Sequence, residues 1–314
     1  MKIAIMGAGA LGCYFGGRIL QAGGEVSFIA RGAHLEALQA NGLTIESPLG
    51  DAHIAPVTAS DDPASIGEVD LVLFLVKLYD TEEAARAMRP LLGPETAVLS
   101  FQNGVDAWQR IGAIVGSERV IGGTAYIPAD IRAPGIVRHS GGFARLTFGE
   151  FDGTASERGK AFLSLLEKAG VEAQLVEDID VRIWEKFIIL SALSAITTLT
   201  RLPIGPIMAD DHAARLFEAA LRETHAVGMA RCPGLSADAA DRQMAVARGF
   251  PPHMRASMLD DLERGKHLEL RDLSGAVVRL GAEAGVPTPV HGTVLAALHP
   301  YADGPPQKAQ ADAG

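Results

Sequence analysis

Short apolar runs separated by stretches of helical spacing dominate the first half of the chain. Residues 3–6, 25–30, 69–76 and 96–101 are nearly continuous apolar runs bounded by glycine, proline or polar residues. Strands buried on both faces read this way, because neither face meets water. Between them, residues 10–21, 33–40 and 81–89 predict helices, the second stopped by Asn41-Gly42 and the third by Pro90. Residues 43–46 and 52–55 flank Ser47-Pro48-Leu49-Gly50 and predict two short strands around a turn. Residues 119–127, 135–139 and 144–149 predict further strands between Pro and Gly turns, at the more antiparallel edge of the same sheet. From about residue 156 the texture becomes helical, with 157–169, 181–198, 210–230, 238–248, 269–284 and 289–298 carrying apolar residues at helical spacing.

This order predicts an α/β chain: an N-terminal doubly wound sheet of the Rossmann type over residues 1–170 and an all-helical domain over 171–302. Residues 303–314 are small, polar and Pro-rich, and predict a disordered tail.

The first strand runs straight into Gly7-Ala8-Gly9-Ala10-Leu11-Gly12 and then a helix. In a strand–turn–helix context this spacing points to a dinucleotide. The first glycine permits the tight turn, the second lets backbone approach a pyrophosphate, and the third lets helix and strand pack closely. The helix N-terminus then meets the anion with free N–H groups. Arg31 follows the second strand, where an NAD-selective site usually carries an acid. A guanidinium there suits a 2′-phosphate, so NADP(H) is the expected cofactor. Lys77 and Asn103 follow the runs 69–76 and 96–101, at the strand ends where doubly wound sheets bind ligands.

Composition narrows the field. The chain has 314 residues, 48% of them hydrophobic and 5% aromatic, enough for two cores filled by aliphatic side chains. A net charge of −10 argues against a nucleic-acid surface. The first apolar segment is interrupted by glycines, no other stretch reads as a membrane span, and the only two cysteines, Cys13 and Cys232, form no CxxC pattern. A cytoplasmic protein with free thiols is expected, Cys13 being a small packing residue. The histidines show no ligand spacing, so no metal is expected. The apolar helix around 183–199 is either core or the seam of a homodimer.

Further motifs follow in order: Trp184-Glu185-Lys186 opening a long helix, Ser257-Met258-Leu259-Asp260-Asp261-Leu262-Glu263, Glu269, and Val286-Pro287-Thr288-Pro289. With the N-terminal glycines, Val76-Lys77 and Gln102-Asn103-Gly104, the series resembles the ketopantoate reductase family, 2-dehydropantoate 2-reductases that reduce a 2-keto acid with NADPH. The resemblance runs from Met1 to about His299. It implies that Gly7, Ala8, Gly9, Ala10, Leu11, Gly12 and Arg31 bind the cofactor and that Lys77 and Asn103 lie between cofactor and substrate. It further implies that Lys186 is the catalytic lysine, Glu269 the carboxylate that binds the reacting hydroxyl, and Ser257 a substrate-binding hydroxyl. From the residues alone, Glu269 is also favourable as the first residue of a helix, and Ser257 as an N-cap.

The chain departs from the family's pattern on one helical face. The positions four and eight after Lys186, asparagines that contact substrate in the family, are Leu190 and Ser194, and a third asparagine aligns with Ile204. These positions predict a reductase of a 2-keto acid with a more apolar side chain than ketopantoate. The alternatives are a non-catalytic NADP(H)-binding sensor and a related dehydrogenase of another hydroxy-acid class.

Overall fold

Twelve strands and twelve helices follow one another in a computed structural model that describes residues 1–306. The first part holds β1 (Lys2–Met6), α1 (Ala10–Gln21), β2 (Glu25–Ile29), α2 (Gly32–Asn41), β3 (Leu43–Glu46), β4 (Ala52–Ile54), β5 (Thr58–Ser60) and β6 (Val69–Phe74). It continues with α3 (Thr81–Ala87), β7 (Leu92–Ser100), α4 (Ala107–Val115), β8 (Val120–Tyr126), β9 (Ala129–Ala133), β10 (Ile136–His139), β11 (Arg145–Gly149), α5 (Glu157–Lys168) and β12 (Glu172–Leu175). The remainder is helical: α6 (Ile179–Thr200), α7 (Ile204–Ala209), α8 (Asp211–Arg231), α9 (Ala239–Arg248), α10 (Ser257–Glu263), α11 (Ser274–Ala284) and α12 (Pro289–Leu298).

The main sheet has eight strands in the order β12-β11-β8-β7-β6-β1-β2-β5. Six of them, from β8 to β5, run parallel, β11 is antiparallel to β8, and β12 runs parallel to β11. Side chains alternate between two cores. Ile3, Ile5, Leu71, Leu73, Ala97 and Leu99 face one core with Phe15, Ile19, Phe162 and Leu166. Ala4, Met6, Val72, Phe74 and Val98 face the other with Ala84, Ala85, Met88 and Ile111. Both faces of β1, β6 and β7 are therefore covered by helices, which is why their sequences read as unbroken apolar runs. Strand order reverses between β1 and β6, the position where sheets of this kind open a crevice at their carboxyl ends.

One expectation changes here. The strand expected at 135–139 does not extend the main sheet. As β10 it pairs in parallel with β3 and antiparallel with β9, making a separate four-stranded sheet, β4-β3-β10-β9. Val137, Leu43 and Ile45 from this sheet pack into the same core as α1, and that buried face determines where the strand goes. Expected strand 144–149 does extend the main sheet, as β11.

Contacts divide the chain into two units, Met1–Ile183 and the residues from Trp184 onward, and the division falls inside α6. The reason is β12. It pairs with β11 and so keeps the segment 157–175 with the first unit. Among the described residues α6 is long and apolar enough to cross a membrane, contrary to the reading that no stretch is. In the protein 72% of its most apolar window is buried, as in a core helix. Of the expected tail, residues 303–306 are described, and Asp303 accepts two hydrogen bonds from Arg271, at 2.8 and 2.9 Å. Residues 307–314 lie outside the described residues.

Candidate functional site

The glycine turn has the geometry its chemistry demands. Gly7 adopts φ +97°, and a Cβ there would lie 2.7 Å from the backbone N of Val76, so only glycine fits. At Gly12 a Cβ would lie 2.6 Å from Ile5 Cγ2 and 2.7 Å from the Gly7 carbonyl oxygen, because α1 crosses β1 closely at that point. Gly9 is different. It has an ordinary φ of −78° and no atom within 4 Å of a Cβ position, so nothing inside the protein requires a glycine there. Open space beside a partly accessible backbone at a helix N-terminus is what a pyrophosphate needs, and the cradle fits a dinucleotide.

Other residues of the first unit surround this crevice. The Leu75 N–H donates to the Met6 carbonyl at 2.8 Å, which joins the loops after β6 and β1. Lys77 stands half-buried just beyond β6, and Asn103 half-buried just beyond β7. Between them lies a residue whose role the sequence does not reveal. Buried Gln102 donates from Nε2 to the Val76 carbonyl (3.1 Å) and to Thr81 Oγ1 (2.9 Å), and so ties the end of β7 to the loop carrying Lys77. Arg110, on the unforeseen helix α4, closes the same loop: it donates to the Leu78 carbonyl at 3.0 Å and makes a two-pronged bond to Glu82 at 2.7 and 2.9 Å. That guanidinium holds the Glu82 carboxyl below its usual range.

Arg31 stands exposed at the end of β2, 3.4 Å from Glu83. An exposed pair of this kind is weak, so the guanidinium is readily available to a phosphate. Cys13 is fully buried, its thiol 3.4 Å from both the Ala8 carbonyl and His34 Nε2. Burial pushes its pKa up to about 12, as expected of a packing residue.

The second unit holds the other candidates. Lys186 lies on α6, and burial lowers its ammonium from 10.5 to about 8 while the nearby Glu269 carboxylate acts in the opposite sense. The two are thus electrostatically paired. Glu185, next in the chain, is turned to Arg242 on α9 at 2.5 Å. Leu190 is half-buried and Ser194 is buried, one and two turns further along the Lys186 face. Ile204 is buried as the first residue of α7, where its N–H donates to the Met254 carbonyl at 2.8 Å.

Two local expectations need correction. Glu269 does not begin a helix: α11 starts at Ser274, and Glu269 sits buried in the preceding turn. Residues on both sides of it are held to the last turns of the chain, Leu268 by the Ala302 carbonyl at 2.8 Å and Arg271 by Asp303, and this draws the segment out of the helix. Ser257 does not cap α10. Ala256 occupies the cap position, and Ser257 is the first helical residue, with its side chain exposed.

Comparison with known proteins fits this arrangement. The family model described as "Ketopantoate reductase PanE/ApbA" matches residues 3–153, and that of its C-terminal part matches residues 178–302. The chain belongs to the ketopantoate reductase family. It is 35% identical to a 2-dehydropantoate 2-reductase of Mesorhizobium japonicum, covering 94% of this chain and 96% of that protein. It is also 35% identical to the enzyme of the same name from Archaeoglobus fulgidus, covering 94% and 95%. A crystal structure of a PanE/ApbA family ketopantoate reductase from Ralstonia eutropha superposes with a TM-score of 0.88 at 34% identity, covering 96% of this chain and 98% of that one. D-mandelate dehydrogenase, solved with NADH and anilino(oxo)acetate, shares the fold at a TM-score of 0.87 and 21% identity. Membership makes this chain an oxidoreductase acting on a CH–OH group, among relatives that reduce a 2-keto acid.

Proposed function

We propose that this chain is an NADPH-dependent reductase that converts a 2-keto acid to the 2-hydroxy acid, with Lys186 as the general acid. The observation that carries the reading is the pairing of a half-buried, largely desolvated lysine with a buried carboxylate. An ordinary lysine is too weak an acid to give up its proton readily, whereas Lys186, brought to about 8, stays largely protonated near neutrality and releases its proton far more easily. When bound, the reduced nicotinamide supplies the hydride. The Lys186 ammonium stabilises the negative charge that develops on the keto oxygen and then donates the proton that completes the hydroxyl. Glu269 keeps the amine charged until that moment and accepts a hydrogen bond from the new hydroxyl. Gly7, Ala8, Gly9, Ala10, Leu11 and Gly12 cradle the pyrophosphate, and Arg31 receives the 2′-phosphate. Lys77 offers a second cation to the substrate carboxylate or the cofactor phosphates, and Asn103 hydrogen-bonds an amide or ribose group. Ser257 is assigned to the substrate.

Leu190, Ser194 and Ile204 set the substrate class. Each lost amide contact to a substrate hydroxyl costs on the order of 1–3 kcal/mol, roughly tenfold to hundredfold in specificity. Two such losses favour a 2-keto acid with an apolar side chain. The test is a steady-state assay of NADPH and NADH oxidation with ketopantoate and a panel of branched and aromatic 2-keto acids. The reading expects NADPH and an apolar member of the panel to give the highest kcat/KM. A decisive preference for ketopantoate removes the substrate assignment, and tight NADPH binding without turnover removes the enzymatic one.

A further inference from the structure

The second unit contains a fully buried histidine to which the reaction described above assigns no task. His291, on α12, has no accessible surface. Its Nε2 lies 3.0 Å from the Ala220 carbonyl on α8, an acceptor only, so the proton sits on Nε2 and that N–H donates. The same nitrogen lies 3.0 Å from Thr224 Oγ1, which is 2.8 Å from Ser191 Oγ on α6. Nδ1 is thereby left as an acceptor and takes the hydroxyl proton of Ser274, at 3.1 Å on the first turn of α11. The Glu223 carboxylate, on α8, accepts from the backbone N–H groups of Val290 (2.7 Å) and His291 (3.0 Å) and fixes the start of α12. Burial holds the imidazole neutral by lowering its pKa to about 4, with the Ala220 bond acting weakly against this.

The two ends of this buried chain are placed alike with respect to the proposed acid and its partner. Ser191 follows Lys186 by five residues on α6, and Ser274 follows Glu269 by five residues at the start of α11. Resting on the reading of Lys186 and Glu269 given above, we propose that His291 is a positioning residue. Through Thr224 and Ser191 on one side and Ser274 on the other, it holds α6 and the Glu269 turn in the register that keeps carboxylate and amine paired. An apolar side chain of similar volume would fill the same space, but it would leave two hydroxyls, of Thr224 and Ser274, and the Ala220 carbonyl without their directional partner. A fully satisfied buried network of this kind fixes relative position rather than adding much stability.

The test uses the full chain with Ser274→Ala and Thr224→Val, which cut the chain on opposite sides of His291 with little change in volume, and His291→Gln, which keeps an amide in its place. The readout independent of turnover is the pH dependence of Lys186 acylation by an amine-reactive ester, followed by mass spectrometry of its peptide. Loosening the Glu269 turn removes the carboxylate's support for the charged amine while the desolvation it feels on α6 persists, so the Lys186 midpoint is expected at lower pH in Ser274→Ala and in Thr224→Val, with partial return in His291→Gln. In the NADPH assay, kcat falls about tenfold while the KM for cofactor is unchanged. An unmoved midpoint in both folded variants overturns the proposal. A midpoint moved upward overturns it too, since that is the mark of water entering a generally loosened core. If the wild-type chain reduces no 2-keto acid, the functional reading falls, while the acylation titration still decides whether His291 couples Lys186 to Glu269.

Discussion

Gly9 and Gly12 separate cofactor binding from folding, and substituting each by alanine tests the cradle directly. At Gly12 the added methyl would stand 2.6 Å from Ile5 Cγ2 and 2.7 Å from the Gly7 carbonyl oxygen. Van der Waals contact needs well over 3 Å, and the carbonyl belongs to a turn that cannot move cheaply, so overpacking costs about 1–3 kcal/mol. The helix propensity of alanine returns up to about 1 kcal/mol, which leaves a net loss of roughly 1–2 kcal/mol. At Gly9 the methyl meets nothing within 4 Å and φ is an ordinary −78°. The gain from a less flexible unfolded chain, about 0.4–1 kcal/mol, is offset by the poor capping preference of alanine, so stability should change by less than about 0.5 kcal/mol. The same methyl stands where the pyrophosphate must approach, and NADPH affinity should fall at least about tenfold, or 1.4 kcal/mol. Urea unfolding of the cofactor-free protein and fluorescence titration with NADPH measure the two quantities separately. If Gly9→Ala binds NADPH as tightly as wild type, or unfolds as readily as Gly12→Ala, the account of the cradle is wrong.

Three further predictions concern α6. The Lys186 ammonium acts as an acid, so kcat for keto-acid reduction should decline as pH rises through about 8, and Lys186→Met should abolish that limb along with most of the activity. The unfolded chain holds this proton up to about pH 10.5, so between about 8 and 10.5 the unfolded state binds more protons, and this group's contribution to stability rises with pH across that window. Urea midpoints of wild type and Lys186→Met at pH about 8 and about 10.5, the two ends of that window, should converge as pH rises. Thr198 Oγ1 is buried and has no hydrogen-bond partner among the described residues, so Thr198→Val should raise stability by about 1 kcal/mol in urea unfolding. A loss of similar size would show that the hydroxyl is engaged.

What the sequence makes legible follows from where each signal originates. Strands β1, β2 and β6 stand out because burial on both faces demands an unbroken apolar run. Strands β5, β9 and β12 do not, since they have partly polar, partly exposed faces and their pairing is decided by strands elsewhere in the chain. Helix α4 has glycine and β-branched residues within it, and is held through Arg110 and Glu82, which no local pattern announces. The glycine cradle is readable because it depends on spacing within one element, whereas Lys186 and the Leu190–Ser194 face stand out only through the resemblance to the family. Gln102 and His291 bond to residues 26 and 67 positions away, so only the fold reveals what they do. Glu269 was visible as a residue but misplaced as a helix start, because its setting depends on contacts with the last turns of the chain.

The two ends of the main sheet carry a consequence for how copies of this protein meet one another. An eight-stranded sheet exposes two open edges, each a template on which a foreign strand can add. Here the edges are β5, only three residues long and reading Thr-Ala-Ser, and β12, four residues long with Glu172 and Gln174 exposed. The long apolar strands, whose backbones would make the most adhesive templates, are enclosed between neighbours on both sides. At the main sheet a crowded solution of folded copies is therefore offered short, polar edges, and resistance to strand-by-strand addition there is built into the order in which that sheet is assembled.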